Sequence, residues 1–409
     1  MKRSSLQRAH FCTRRIVPIL LLALPMLVSP VLAGGSGAPR TSFAASVQGT
    51  SGTKSKATGA KAGSKSRSTR RRRPARERFY TSSFSDQVTA GDISGGEDPV
   101  VRAAALQALG QMNGTVVAID PDSGRILAMV NRKLALSEGA QPCSTIKVPV
   151  AMAGVSEGLI TRNTEITLGY TRRKRVPIRI DLTHATAESN NRYFEIVGRM
   201  LGFEKVRYYA RQFGLGELAG YQIEGEQPGI FPAKEPPASA GGVGKMCSFG
   251  EGISVTPLQL GALVSALANG GTLFYLQHPR TPQEAARFRP RIKRQLDIAT
   301  IIPDVTEGLM GAVEYGSARS VRHNFIEEPV LGKTGTCSRN GTRYGWFASW
   351  ANTEHGRVVT VVFLQGGRPT FGPKAAEIAG RIYRNLYDQN YFSGAEERAA
   401  RAAGDVSQP

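Results

Sequence analysis

Strand-forming segments stand at opposite ends of the folded part of this 409-residue chain, so a sheet built from them closes only after nearly all of that part is present. Thr115-Val116-Val117-Ala118-Ile119 and Ile126-Leu127-Ala128-Met129-Val130 flank the turn-rich break Asp120-Pro121-Asp122-Ser123-Gly124, which predicts a hairpin. Strand signals return at residues 330–334, 346–350 and 358–364, divided by Gly- and Asn-containing turns, and a last helix is expected over 374–387. An amphipathic stretch over 99–111 precedes the hairpin. From Ser144 to about Leu273 apolar residues recur at helix spacing, with Pro/Gly-rich breaks around 225–244. The pattern predicts an α/β (α+β) fold: one antiparallel sheet flanked by helices, with an all-helical subdomain inserted.

Charge divides the chain. Residues 1–80 carry 17 Lys and Arg against one acid, Glu77, so 16 of the formal +21 falls there, while the remainder holds 36 Lys/Arg against 31 Asp/Glu. The sequence pI of about 10.2 therefore describes a tail, and no specific nucleic-acid partner is expected. Lys2, Arg3, Arg8, Arg14 and Arg15 precede an apolar run over 16–28 that leads to Val31-Leu32-Ala33 and Gly34-Gly35, so residues 1–33 read as a signal peptide or membrane anchor. Pro18, Pro25 and Pro30 interrupt the run, and it falls short of the roughly 20 residues of a comfortable span. Cleavage is the favoured reading. Export places the protein in the periplasm or on the outer face of the cytoplasmic membrane.

Residues 34–90 read as a basic low-complexity linker with too little apolar content to order itself. Its Arg70-Arg71-Arg72-Arg73 run suits unspecific attraction to an anionic membrane or wall polymer, or a solvated spacer. A catalytic domain is expected over 91–392 and a disordered tail over 393–409.

Three short motifs carry chemistry. In Ser144-Thr145-Ile146-Lys147 the i,i+3 spacing brings the amine to the hydroxyl if a helix begins there, and free N–H groups at that helix start favour an oxyanion. Ser189-Asn190-Asn191 offers a hydroxyl to relay protons and an amide to orient lysine and substrate; taken by itself it is a helix cap. Lys333-Thr334-Gly335-Thr336, on a predicted strand, sets a cation and hydroxyls beside an edge that can take an extended peptide, with Gly335 leaving room. His10, His184, His278, His323 and His355 stand in no triad context. Cys12, Cys143, Cys247 and Cys337 form no CxxC pair and lie near no His at ligand spacing, so neither metal nor cofactor is expected. If Cys12 leaves with a signal peptide, at least one of the other three stays unpaired within the chain.

Order and placement of the three motifs resemble the transpeptidase domain of penicillin-binding proteins, over roughly residues 99–392. The hairpin over 114–124, Phe213-Gly214-Leu215-Gly216, and the stretch over 249–259 leading into Ala268-Asn269-Gly270-Gly271 are similar to further segments of that family. The resemblance implies a β-lactamase/transpeptidase-like fold and a serine acyl-enzyme acting on D-Ala-D-Ala stem peptides, as a D,D-transpeptidase or D,D-carboxypeptidase that β-lactams acylate. It gives Ser144 as nucleophile, Lys147 as base with a lowered pKa, and Ser189 as proton relay. Asn191 would hold the substrate amide, Lys333, Thr334 and Thr336 the terminal carboxylate, and the N–H groups of Ser144 and Thr336 the oxyanion. Only low-complexity sequence lies between the apolar run and the catalytic part, implying a form without glycosyltransferase or long dimerisation domains. Cys143 and Cys337 depart from the pattern and are expected to be small apolar packers or redox-sensitive groups near the cleft. A β-lactamase and a β-lactam-binding sensor are the alternatives. No Asn occurs between Arg192 and Ala268 to suit a class A enzyme, and Asn191 stands where class D enzymes carry an apolar residue; Tyr344-Gly345-Trp346-Phe347 is nevertheless similar to a class D strand.

Overall fold

The computed structural model describes residues 77–353 and 356–392; the expected signal peptide, the linker as far as residue 76 and the tail lie outside the described residues. Helix α1 (Pro99–Leu109) starts at a proline, and the Asp98 carboxylate caps it by accepting from the N–H groups of Val100 and Val101. Strands β1 (Gly114–Asp120) and β2 (Arg125–Val130) form the expected hairpin, and a short helix, α2 (Arg132–Ala135), follows. A 3₁₀ turn over Cys143–Ile146 runs into α3 (Lys147–Ser156).

Part of the segment expected to be helical is a hairpin, β3 (Ile166–Tyr170) with β4 (Pro177–Ile180). Ile178 and Ile180 alternate with polar residues, and Pro177 sits at the first position of its strand, where a missing N–H costs least. Helices resume with α4 (Leu182–Ala187), α5 (Asn191–Gln212), α6 (Gly242–Phe249) and α7 (Pro257–Ala268). Gly202 interrupts α5 at φ 73°. Strands β5 (Thr272–Phe274) and β6 (Ile292–Gln295) pair around α8 (Pro282–Ala286), and α9 (Ile302–Glu314) leads to β7 (Val330–Arg339), β8 (Thr342–Thr353), β9 (Gly356–Gly366) and α10 (Gly372–Asp388).

The main sheet runs β2-β1-β9-β8-β7, antiparallel throughout, so the first hairpin pairs with the last strand and the sheet closes late, as expected. Side chains alternate across it. Val116, Ala118, Phe347 and Val362 pack with α1 and α10 in one core; Val117, Ile119, Trp346 and Val361 pack with the helical subdomain in the other. Burying each large aliphatic side chain in either layer contributes about 1.5–3 kcal/mol. Strand β7 is left as an edge, which positions the site. Residues 80–85, assigned to the linker from sequence, hydrogen bond to the sheet region: Tyr80 N–H donates to Gly341 O at 2.9 Å, and Ser83 Oγ accepts from Gly367 N–H at 2.7 Å. No helix among the described residues is long and apolar enough to cross a membrane.

Candidate active site

The turn before α3 is sharp. Cys143 takes φ 53°, and both the N–H and the hydroxyl of Thr145 donate to Pro142 O, at 3.1 and 2.8 Å. Ser144 is therefore in a 3₁₀ turn and the α-helix begins at Lys147, three residues later than the motif predicts. The pair still meets, because i and i+3 eclipse in a 3₁₀ turn: Lys147 Nζ lies 3.0 Å from Ser144 Oγ.

Lys147 is fully buried, and its amine has three more oxygen neighbours: Asn191 Oδ1 at 2.6 Å, Ser189 O at 2.7 Å and Ser189 Oγ at 3.1 Å. Burial pushes its pKa down to about 6; the charge of Lys333 adds to the fall and that of Glu195 opposes it. Glu195 pairs with Arg199 at 3.1 Å and Arg192 at 3.5 Å. In the Ser189-Asn190-Asn191 triplet the middle residue is the cap, Asn190 Oδ1 accepting from Tyr193 N–H at 3.0 Å. Ser189 closes α4 at φ 59°, and it and Asn191 converge on Lys147 from either side of that cap.

The other wall is β7. Lys333 is 1% exposed, its Nζ donating among the described residues only to Thr334 O at 3.3 Å, and burial lowers its pKa to about 7. A buried cation with so little compensation is suited to an incoming anion. Thr334 Oγ1 donates to Ser317 Oγ at 2.8 Å, and Thr336 Oγ1 accepts from Gly372 N–H at 2.7 Å, leaving its own proton for a ligand. A Cβ on Gly335 would stand 2.8 Å from Pro142 O and 3.2 Å from Thr145 Cγ2, so glycine lets the strand touch the serine turn.

The eight residues singled out in the sequence thus lie on three segments: the serine turn with α3, the cap over Ser189 to Asn191, and β7. Sequence reasoning missed Ser317 and Gly372, which meet β7 only through tertiary folding, and Trp346, whose indole N–H donates to Gln141 O at 3.0 Å behind the turn. Of the two roles expected for Cys143 and Cys337, separate apolar packers or redox-sensitive groups, the first does not hold: they form a disulfide, while Cys247 is free and buried. The described residues contain no cluster of His, Cys, Asp and Glu able to hold a metal.

Several known proteins are similar to this chain. The chain is 27% identical over 318 residues to stage V sporulation protein D of Bacillus subtilis, covering 66% of this chain and 48% of that protein. It is 24% identical over 367 residues to peptidoglycan D,D-transpeptidase MrdA of Acinetobacter baumannii, covering 73% and 54%. The chain thus spans about half the length of the curated relatives it matches. Pseudomonas aeruginosa PBP2, solved with WCK 5153, is 22% identical with a TM-score of 0.58, covering 72% of this chain and 77% of that one, and shows the same fold. The sequence profile of the penicillin-binding protein transpeptidase domain matches residues 114–388, and the chain belongs to that family.

Proposed function

We propose that the protein is a peptidoglycan D,D-transpeptidase working through an acyl-enzyme on Ser144. The observation that carries the reading is the buried Lys147 amine held among four oxygens. Asn191 Oδ1 and Ser189 O can only accept, so they take the two N–H groups of a neutral amine, and its lone pair is left for a hydroxyl proton. Ser144 gives that proton to Lys147 as Oγ bonds to the carbonyl carbon of the penultimate D-Ala. The N–H groups of Ser144 and Thr336 receive the oxyanion, and Ser189 passes the proton to the departing D-Ala amine. Lys333, Thr334 and Thr336 hold the terminal carboxylate, Asn191 the substrate amide. The amine of a second stem peptide then resolves the ester; water in its place gives the carboxypeptidase reaction. Work on exported stem peptides places the enzyme outside the cytoplasmic membrane, where a disulfide persists. The basic stretch before residue 80 would hold it near an anionic membrane or wall polymer by charge alone.

Penicillin tests this. Mass spectrometry should find a stable penicilloyl adduct on Ser144, absent in Ser144→Ala and formed at least about a hundred times more slowly in Lys147→Ala. Rapid multiple-turnover hydrolysis of penicillin by the wild type would instead make the protein a β-lactamase.

A further inference from the structure

The Cys143–Cys337 disulfide joins residues 194 apart in the chain, their Cα atoms 5.5 Å apart. Each half-cystine is the direct neighbour of one N–H group assigned to the oxyanion: Cys143 precedes Ser144, and Cys337 follows Thr336. We infer that this disulfide is a positioning element of the oxyanion hole, setting the spacing of the two N–H donors, and that its reduction slows acylation without unfolding the protein. The inference rests on the transpeptidase reading of Ser144.

The two segments come from different parts of the fold, the turn from the helical subdomain and β7 from the sheet edge. Two other contacts tie them: the Trp346 indole on Gln141 O, and Gly335 against Pro142 O. They act on residues beside the donors, at 141–142, 145 and 335. They keep the segments together when the disulfide opens, and the β7–β8 ladder and the Gly372 N–H hold Thr336 within the sheet, so what the disulfide adds is the spacing between that strand and the Ser144 turn. Cys143 moreover holds a left-handed φ that a residue with a Cβ rarely adopts, and the covalent link to β7 restrains it there.

Reductant has a way in. Cys143 is fully buried, whereas Cys337 is half-buried and lines a cavity of about 380 Å³ with Gln141, Phe249, Glu251 and Arg339. A thiolate of a dithiol reductant attacks Cys337 Sγ; the S–S bond breaks and its electron pair leaves on Cys143 Sγ, which takes a proton. The second thiolate of the reductant attacks its own sulfur in the mixed disulfide and releases Cys337 as a thiolate, which is protonated in turn. Two electrons pass to the protein, and the reductant leaves as a cyclic disulfide.

The experiment compares the full chain, oxidised and after treatment with dithiothreitol, by its rate of acylation with fluorescent penicillin and by circular dichroism. Reduced chain and Cys143→Ala/Cys337→Ala should acylate roughly ten- to a hundredfold more slowly, through a lower limiting rate at saturating penicillin, and remain folded. Cys143→Gly/Cys337→Ala should recover part of the loss, since glycine accepts the positive φ. Cys247→Ala should acylate as the wild type does and still slow on reduction. A folded, reduced chain that acylates at the oxidised rate overturns the inference, as does a loss confined to penicillin affinity or unfolding on reduction. If the oxidised chain is not acylated at all, the transpeptidase reading itself fails.

Discussion

Two buried lysines face one cleft, and in the proposed reaction their charges have opposite uses. Lys147 works as a base only when neutral, which holds above its pKa of about 6; Lys333 attracts a carboxylate only when charged, which holds below its pKa of about 7. The second-order rate of acylation should therefore rise with pH through about 6 and fall through about 7, giving a narrow bell. A bound carboxylate favours the charged form of Lys333, so at saturating ligand the falling limb moves to higher pH. A stopped-flow pH series with penicillin checks both limbs, and a flat profile from pH 5 to 9 would contradict the assignment. At this scale most of the site was legible in the sequence. Ser144 to Lys147 and Ser189 to Asn191 are local spacings, which one turn or one cap converts into contacts. The disulfide and Ser317 were not legible, because each depends on segments brought together by the closed sheet, and the unusual cysteines beside both motifs were the only signal.

Among the elements, the strands at both ends and α1 and α10 follow the sequence pattern closely, since alternation and helix periodicity are strong where a face is fully buried. The hairpin β3–β4 was not legible: its strands are short and largely exposed, and the alternation of Ile166 with Leu168 and of Ile178 with Ile180 spans too few residues to stand out. The contact between β7 and the serine turn is likewise tertiary, and Gly335 is its most sensitive point. In Gly335→Ala the new methyl would stand 2.8 Å from the Pro142 carbonyl, a backbone atom that moves only if the turn moves. The cost in stability should be about 1–3 kcal/mol, as for other overpacked sites. Acylation should fall further than the stability loss explains, about tenfold or more, because the displaced segments carry Ser144 and Thr336. Thermal melts and penicillin labelling of the folded variant separate the two effects.

For the whole molecule, the sequence marks where charge ends and apolar content begins but not where packing begins. The difference lies in residues 80–85, which carry few large apolar groups and hold on mainly by hydrogen bonds. Thr81 and Thr342 hydroxyls meet at 2.6 Å, Asn113 N–H donates to Ser83 O at 2.8 Å, and Ser85 N–H donates to Gln111 O at 2.9 Å, beside the Tyr80 and Ser83 contacts. These contacts knit the start of the folded region to the turn between β7 and β8, to the entry of β1 and to the end of β9. Removing residues 1–76 takes away none of them and none of the site, so the shortened chain should acylate with penicillin at the full-length rate. Removing residues 1–90 deletes all of them while sparing Asp92, whose carboxylate accepts from Arg132 N–H at 2.7 Å. At about 0.5–1.5 kcal/mol each, losing these five hydrogen bonds should lower stability by about 2.5–7.5 kcal/mol in urea denaturation. Acylation per folded molecule should change little, since Ser144 and β7 are held by contacts elsewhere. Equal stability of the two shortened chains would show that residues 80–85 contribute nothing to the fold.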